Sequence, residues 1–375
     1  PVSNIIFIGG RPFAEQRLYL PSLGFCLLLA VLFRLAAQAP DRARLAAICR
    51  ATAVPVLLVL LVLYSYGTYR RNLEWRDPLT LWKSAARISP NSARVFNQLG
   101  SAYGRAGEKE KAIEALRRAV KLGPPMVGVY YNLGLELSSL GRSEEAMVVH
   151  QEMIDKFPDC IYGYFCLGVE YAKLGRYEDA IRMHQKVLEL DPGYAEGLSA
   201  LGNVYDLMGD TEKAIDFYRQ AIEVSPTTPN LYFVLGGKYA ALGMAEESLA
   251  LHHKLVENIP DSEYGYFCLG MDYAGMGRLE EAVSNYEKAL ELSPRLSEGY
   301  FNLGLMFYRM DRNEKAILSF KKALEIDSSL FGVYRYLSWC HYKLDRFGLA
   351  VDYFDLANVH GFHDRELGRL LESHR

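Results

Sequence analysis

Three histidines are the first candidates for chemistry in this 375-residue sequence, because His150, His184 and His252 recur at intervals of 34 and 68 residues. An imidazole repeated in register could ligate a metal or move protons. Their neighbours argue for packing instead. Tyr218, Tyr286, Phe320 and Phe354 hold the same register elsewhere, each followed three residues later by an alanine: Ala221, Ala289, Ala323 and Ala357. The histidines are followed there by Met153, Val187 and Leu255. Positions i and i+3 share a helix face, so a smaller ring is offset by a larger neighbour. Near the C-terminus, His360, His363 and His374 with Asp364 form an incomplete ligand set, and no metal is expected. The six cysteines show neither metal spacing nor a disulfide framework, although Cys166 and Cys268 share one register position. Paired acids such as Glu144–Glu145, Glu178–Asp179 and Glu280–Glu281 sit where helices should start and complement the helix dipole. No nucleophile elbow, phosphate-binding loop, dinucleotide fingerprint or zinc-protease helix is present. No catalytic, cofactor-binding or metal-ligating residue is assigned, which is compatible with a non-catalytic part of an enzyme.

The elements that position these residues follow from the same interval. Leu99, Leu133, Leu167, Leu201, Leu235, Leu269, Leu303 and Leu337 stand 34 residues apart, and glycine follows all but the last, where Ser338 replaces it. Prolines from Pro90 to Pro294 keep the same step. Within Glu263 to Leu296, Tyr266, Leu269, Gly270 and Tyr273 lie on one face of a first helix, which Gly277 ends. Ala282, Tyr286 and Ala289 line a second helix, broken by Pro294. A 34-residue helix pair of this kind resembles the tetratricopeptide repeat (TPR) family. The expected fold is all-α: a right-handed TPR superhelix of eight repeats over 93–364, beginning at Ala93, Val127, Ile161, Ala195, Pro229, Glu263, Ser297 and Phe331. A leading half repeat is expected at 77–92, where Asp77 and Pro78 open a helix, and a capping helix at 365–375 with Leu367, Leu370 and Leu371 on one face. A longer beat underlies this one. Tyr162–Gly168 reappears residue for residue as Tyr264–Gly270, 102 residues on, which reads as duplication of a three-repeat block.

In TPR-like stacking the second, fifth, ninth and twelfth residues of each repeat face a concave groove. Tyr131, Phe165, Phe233, Phe267 and Phe301 hold fifth positions, with Arg335 in the last repeat. Tyr162 and Tyr264 hold second positions; Met271 and Trp339 hold ninth positions. Such an aromatic ladder predicts a protein- or peptide-binding groove made by these ten residues. The competing expectation is that superhelical curvature buries the rings as core. The asparagine ladder and Lys/Asn clamp of TPR proteins that hold carboxylate-ended peptides are absent. The net charge of −3 combines +6 over residues 1–76 with −9 over the remainder. An acidic repeat region argues against nucleic acid as a partner.

The first 76 residues read as a membrane segment. Residues 18–37 and 45–66 are apolar runs, each about the length that spans a bilayer. Arg34 and Arg50 sit near the ends that face each other, where they can snorkel. Two alternatives stand beside the membrane hairpin: a signal peptide cut after Ala37-Gln38-Ala39, or two buried helices. Arg34, Arg42, Arg44 and Arg50 in the connection favour its placement on the cytoplasmic side, which puts the repeats outside the cytoplasm, periplasmic or luminal. The sequence opens on Pro1, so a fragment or processed chain is expected.

The segment Ala14-Glu15-Gln16-Arg17-Leu18-Tyr19-Leu20-Pro21-Ser22-Leu23-Gly24-Phe25 resembles a motif of the transmembrane, TPR-containing O-mannosyltransferases of the GT-C type and their bacterial relatives. Arg71-Asn72 and Trp75 are similar to that family's junction into the repeats. Gln16 stands where the family pattern has arginine, with Arg17 one place later. The resemblance implies a polytopic membrane domain followed by luminal or periplasmic TPRs, with the acidic catalytic residues in earlier loops not contained in this sequence. The expected function is therefore a membrane-tethered TPR module that binds protein partners or acceptor substrates, as the C-terminal portion of a glycosyltransferase-like protein. The alternatives are a membrane-anchored assembly scaffold with no enzyme link, or a TPR protein that self-associates through its groove.

Overall fold

The computed structural model describes residues 77–372, together with 7–8, 11–12 and the single residues Val59, Val62 and Tyr66. Two-residue strands β1 (Phe7–Ile8) and β2 (Arg11–Pro12) pair antiparallel, with Ile8 opposite Arg11, and are the one departure from an all-helical fold among the described residues. The apolar runs at 18–37 and 45–66 and the motif at 14–25 lie outside the described residues, except Val59, Val62 and Tyr66, which are helical and exposed. Among the described residues, no helix is long and apolar enough to cross a membrane.

Eighteen helices follow one another among the described residues, and the chain divides into two compact units at Gly163/Tyr164. The first unit contains α1 (Pro78–Ile88), α2 (Ala93–Arg105), α3 (Lys109–Leu122), α4 (Val127–Ser139) and α5 (Ser143–Lys156). The division falls early in α6 (Ile161–Lys173). The second unit continues with α7 (Tyr177–Leu190), α8 (Ala195–Leu207), α9 (Thr211–Val224), α10 (Pro229–Ala241), α11 (Ala245–Asn258) and α12 (Glu263–Gly275). It is completed by α13 (Leu279–Leu292), α14 (Ser297–Arg309), α15 (Asn313–Ile326), α16 (Val333–Lys343), α17 (Phe347–Val359) and α18 (Arg365–Leu371). The result is an all-α solenoid of helix pairs, as the 34-residue interval predicts.

Local chemistry explains several of the helix starts and the turns between paired helices. Asp77 accepts the backbone N–H of Thr80 at 2.9 Å and Pro78 occupies the first turn of α1. Ser92 and Ser262 cap α2 and α12 in the same way. Between paired helices the chain turns through the left-handed region, at φ 76° for Gly277. In the last two turns of this kind, aspartates Asp311 and Asp345 hold φ 58° and 57°.

The glycine after each leucine answers a close approach between paired helices. A Cβ on Gly270 would lie 2.7 Å from the ring of Tyr286, and one on Gly168 would lie 2.6 Å from His184. Ser338 departs because it has a bond to make: its buried hydroxyl donates to the Ala350 carbonyl at 2.6 Å. In the first unit, Phe96, Leu99, Ala115, Ala119 and Val129 form a core that Leu79 and Trp82 of α1 cover. In the second unit, Leu303, Phe307, Phe320 and Leu337 anchor one cluster, and Tyr218, Tyr232, Leu235 and Leu255 another. Each such side chain contributes on the order of 1.5–3 kcal/mol by burial. The last repeat is closed by α18, where Leu367 and Leu371 are fully buried against Ala350 and Phe354. Leu370 departs from the expected shared face. It remains partly exposed, while Leu367 and Leu371 take the places against Ala350 and Phe354.

Candidate functional site

The candidate groove residues all lie on first helices, and the two units present separate stretches of them. In the first unit, Tyr131 of α4 and Tyr162 of α6 meet edge to face at 5.7 Å, with Tyr162 46% exposed. Beside them, the Asn132 amide donates to Asn97 Oδ1 at 3.0 Å and Ser101 Oγ at 3.2 Å, linking α2 to α4.

The second unit sorts its rings into two depths. Phe165, Phe267 and Phe301 are half-buried, each leaning on the ring of its partner helix: His184 at 5.6 Å, Tyr286 at 5.7 Å and Phe320 at 6.0 Å. These three brace the helix pairs. Phe233, Tyr264 and Met271 instead stand out at 45%, 53% and 43% exposure. Gly237, one turn from Phe233, has open space where a side chain would be, and Ala240 is exposed, so the face of α10 is floored by small residues. That combination leaves apolar surface beside room for a ligand. At the C-terminal end, the Arg335 guanidinium lies over Tyr336 at 5.1 Å and 4.0 Å from Asp364. Trp339 donates its indole N–H to Asp364 at 2.9 Å. Burial raises the Asp364 pKa, but the Trp339 and Leu367 N–H donors and Arg335 outweigh it and hold the carboxyl below its ordinary value. Arg335 and Trp339 are thus partly engaged in docking α18.

The in-register histidines are buried packing residues. His150, His184 and His252 are 1%, 1% and 4% exposed, each ring lying against the glycine of its first helix. Burial alone pushes the His184 imidazole down to about 4. Two cysteines are equally shut away. Burial raises Cys268 to about 12, helped by Asp272, and raises Cys340 to about 12. Of the C-terminal histidines, His360 stacks on Phe331 at 3.7 Å and His363 lies 3.0 Å from Asn358 Oδ1. No group of three metal-ligating side chains occurs among the described residues.

One polar cluster is absent from the sequence expectations. Asp272 of α12 receives the Ser248 hydroxyl at 2.7 Å on one oxygen and lies 2.6 Å from His252 Nδ1 on the other. Ser, His and Asp suggest hydrolytic chemistry, but the connectivity is wrong for it. The hydroxyl donates to the carboxylate rather than to the imidazole, and His252 Nε2 is buried against Gly236. The cluster ties α11 to α12. Its signal in the sequence is the spacing of 20 residues between a second-helix histidine and a following carboxylate, seen in His252/Asp272 and again in His150/Glu170. His184 has Val204 at that interval, which is why burial acts on it unopposed.

Comparison with known proteins agrees with the helix pairs. Tetratricopeptide repeat family profiles match residues 160–227 and 261–329, and 93–124 and 127–149, together just over half of the chain. Protein O-mannosyl-transferase Tmtc1 of Drosophila melanogaster is 39% identical over 120 residues, 31% of this chain and 13% of that protein. Protein O-mannosyl-transferase F38B6.6 of Caenorhabditis elegans is 37% identical over 107 residues, 28% of this chain and 14% of that protein. The match therefore spans about one-eighth of the length of these relatives. Among solved structures, the C-terminal part of a TPR repeat-containing protein from Cytophaga hutchinsonii has a TM-score of 0.50 at 16% identity, covering 64% of this chain and 98% of that one, which bears on the fold alone. With its helix pairs, its glycine close approaches and these matches in agreement, the chain belongs to the tetratricopeptide repeat proteins.

Proposed function

We propose that the chain is a membrane-tethered TPR module that binds an extended protein segment on the first-helix face of its repeats, as the C-terminal portion of an O-glycosyltransferase-like protein. The observation that carries the binding role is the exposure of Phe233 on α10 and of Tyr264 and Met271 on α12, with open space at Gly237 on α10. Large apolar side chains left half exposed side by side mark surfaces that a partner covers. In the second unit Phe165, Phe267, Phe301, Arg335 and Trp339 complete the proposed surface, the half-buried rings serving as its walls, and Tyr131 and Tyr162 are proposed as a separate contact in the first unit. The tether is inferred from the apolar runs at 18–37 and 45–66, with the repeats outside the cytoplasm. The link to glycosyl transfer draws on the similarity to the Tmtc relatives and on the motif at 14–25. In that setting the module would present acceptor or partner segments to a catalytic part carried elsewhere.

The test is binding of the full chain to an array of extended peptides, apolar and Ser/Thr-rich, beside the variant Phe233→Ser/Tyr264→Ser. Both residues are exposed, so the variant should fold normally. Selective binding that falls about tenfold or more, the loss of roughly 1.4 kcal/mol expected of an aromatic anchor, supports the reading. Unchanged binding in the variant overturns it. Concentration-dependent association of the wild type that the variant abolishes would favour self-association through the same face.

A further inference from the structure

On the second-helix side of the first unit, two hollows adjoin. One, of about 660 Å³, is edged by Lys111, Arg117, Arg118, Lys121 and Arg142, with Glu110 and Glu114 among them. The other, of about 300 Å³, is lined mainly by apolar side chains from α3, α4 and α5, including Val120, Leu133, Leu137, Val148 and Val149, with the carboxylates Glu145 and Glu152 among them. Arg117 and Lys121 belong to both. Each volume falls within the roughly 300–1,000 Å³ of small-molecule sites.

The residues are arranged for an anion with an apolar tail. Glu145 aligns the cationic edge by accepting from Arg117 at 2.6 Å and from Arg142 at 2.7 Å. Arg118 is steadied over the Phe96 ring at 4.2 Å. Lys121 is exposed and has no ion-pair partner among the described residues. At the mouth of the apolar hollow, Val148 is 61% exposed, so an aliphatic surface opens directly beside the cations. Residues 77–163 carry 11 basic and 10 acidic side chains, whereas residues 164–375 carry 22 basic and 32 acidic ones, so the hollows lie in the less acidic part of the repeats. A free anion would use the first hollow only, and a neutral lipid the second only.

We propose that this paired site binds an anionic phospholipid, its phosphate between Arg117 and Lys121 and part of an acyl chain along Val120 and Val148. The source is the bilayer: α1 begins at Pro78, a short stretch after the apolar run that ends at Tyr66. In this last respect the inference rests on the proposed membrane tether.

The full chain is incorporated into nanodiscs of phosphatidylcholine alone or mixed with phosphatidylglycerol, and the reaction of Lys121 with an amine reagent is followed by mass spectrometry. Lys288 and Lys322 of the second unit serve as internal controls. With the site about 90% occupied, Lys121 reacts about tenfold more slowly in the phosphatidylglycerol discs than in phosphatidylcholine. Arg117→Glu and Val148→Asp each restore the fast rate. Equal rates in the two discs overturn the proposal. So does equal protection by glycerol phosphate in phosphatidylcholine discs, which would mark an anion site without a tail. Stronger protection by polyglutamate than by phosphatidylglycerol would overturn it in favour of an acidic protein segment. Incorporation is scored separately by co-purification with the discs. A chain that stays outside them is given vesicles of the same two compositions, so failure of the tether and failure of the lipid site are read apart.

Discussion

Among single residues, His184 shows how one substitution within a repeat changes the chemistry of its surroundings. In other repeats a tyrosine or phenylalanine fills the space against the first-helix glycine, as Tyr286 does against Gly270. His184 fills it with a titratable ring and has no carboxylate at the interval where His252 finds Asp272. Its folded-state pKa of about 4 lies below the ordinary 6.5, so the unfolded chain binds the proton first as pH falls. Stability tied to this ring is therefore fully present above pH 6.5 and is lost as pH falls toward 4. The loss approaches about 3 kcal/mol at the acid end, at about 1.4 kcal/mol for each pH unit of difference. Urea unfolding followed across this range should show it. The variant His184→Tyr/Val187→Ala, which copies the pairing of Tyr286 with Ala289, should flatten the dependence. An unchanged pH slope in that variant would assign the acid sensitivity to other groups.

The individual helix pair is where the turns matter. Six repeats place glycine at the left-handed turn between first and second helices, and the two C-terminal ones place Asp311 and Asp345 there. A side chain in that region costs about 1–2 kcal/mol, less for aspartate, whose carboxylate can bond locally. Asp311 recovers part of the cost, because Lys343 bonds it at 2.8 Å and Asn313 at 3.1 Å. No such bond is made by Asp345 among the described residues. Asp345→Gly should therefore stabilise the last repeat by roughly 0.5–1 kcal/mol, read as a higher urea midpoint. Asp311→Gly should give less or none, since it removes the bond to Lys343. Equal gains from both would show that the lysine contact contributes nothing.

For the molecule as a whole, the basic N-terminal segment and the acidic repeats imply different surroundings for the two ends of the chain. The full chain should resist alkaline extraction from membranes, and residues 77–375 expressed alone should not. Release of the full chain by alkali would remove the tether while leaving the peptide-binding face untouched. Protection of the repeats from added protease in sealed vesicles would test their proposed placement outside the cytoplasm.

Much of the fold was legible in the sequence because a TPR pair is specified by local spacing. Leucine, glycine and proline at a constant interval dictate which residues share a helix face and where each helix stops. The glycine beside each ring reports a contact internal to one pair. Depth is another matter. Phe267 and Phe233 occupy the same register position, yet one leans on Tyr286 and the other stands in solvent. Their difference depends on the partner-helix ring and on the neighbouring repeat, neither of which the position itself encodes. The bond from His252 to Asp272 likewise joins helices of successive repeats, and its 20-residue signal has meaning only once those helices are known to touch. The paired hollows beside Arg117 were hidden for the same reason, since their cations come from α3 and from Arg142 just before α5, and their apolar wall draws on α3, α4 and α5. Periodicity in the sequence determined the helix pairs and the face each residue occupies. Only tertiary packing decided which of those faces were filled by a neighbour and which were left open, because burial depends on contacts between pairs rather than within them.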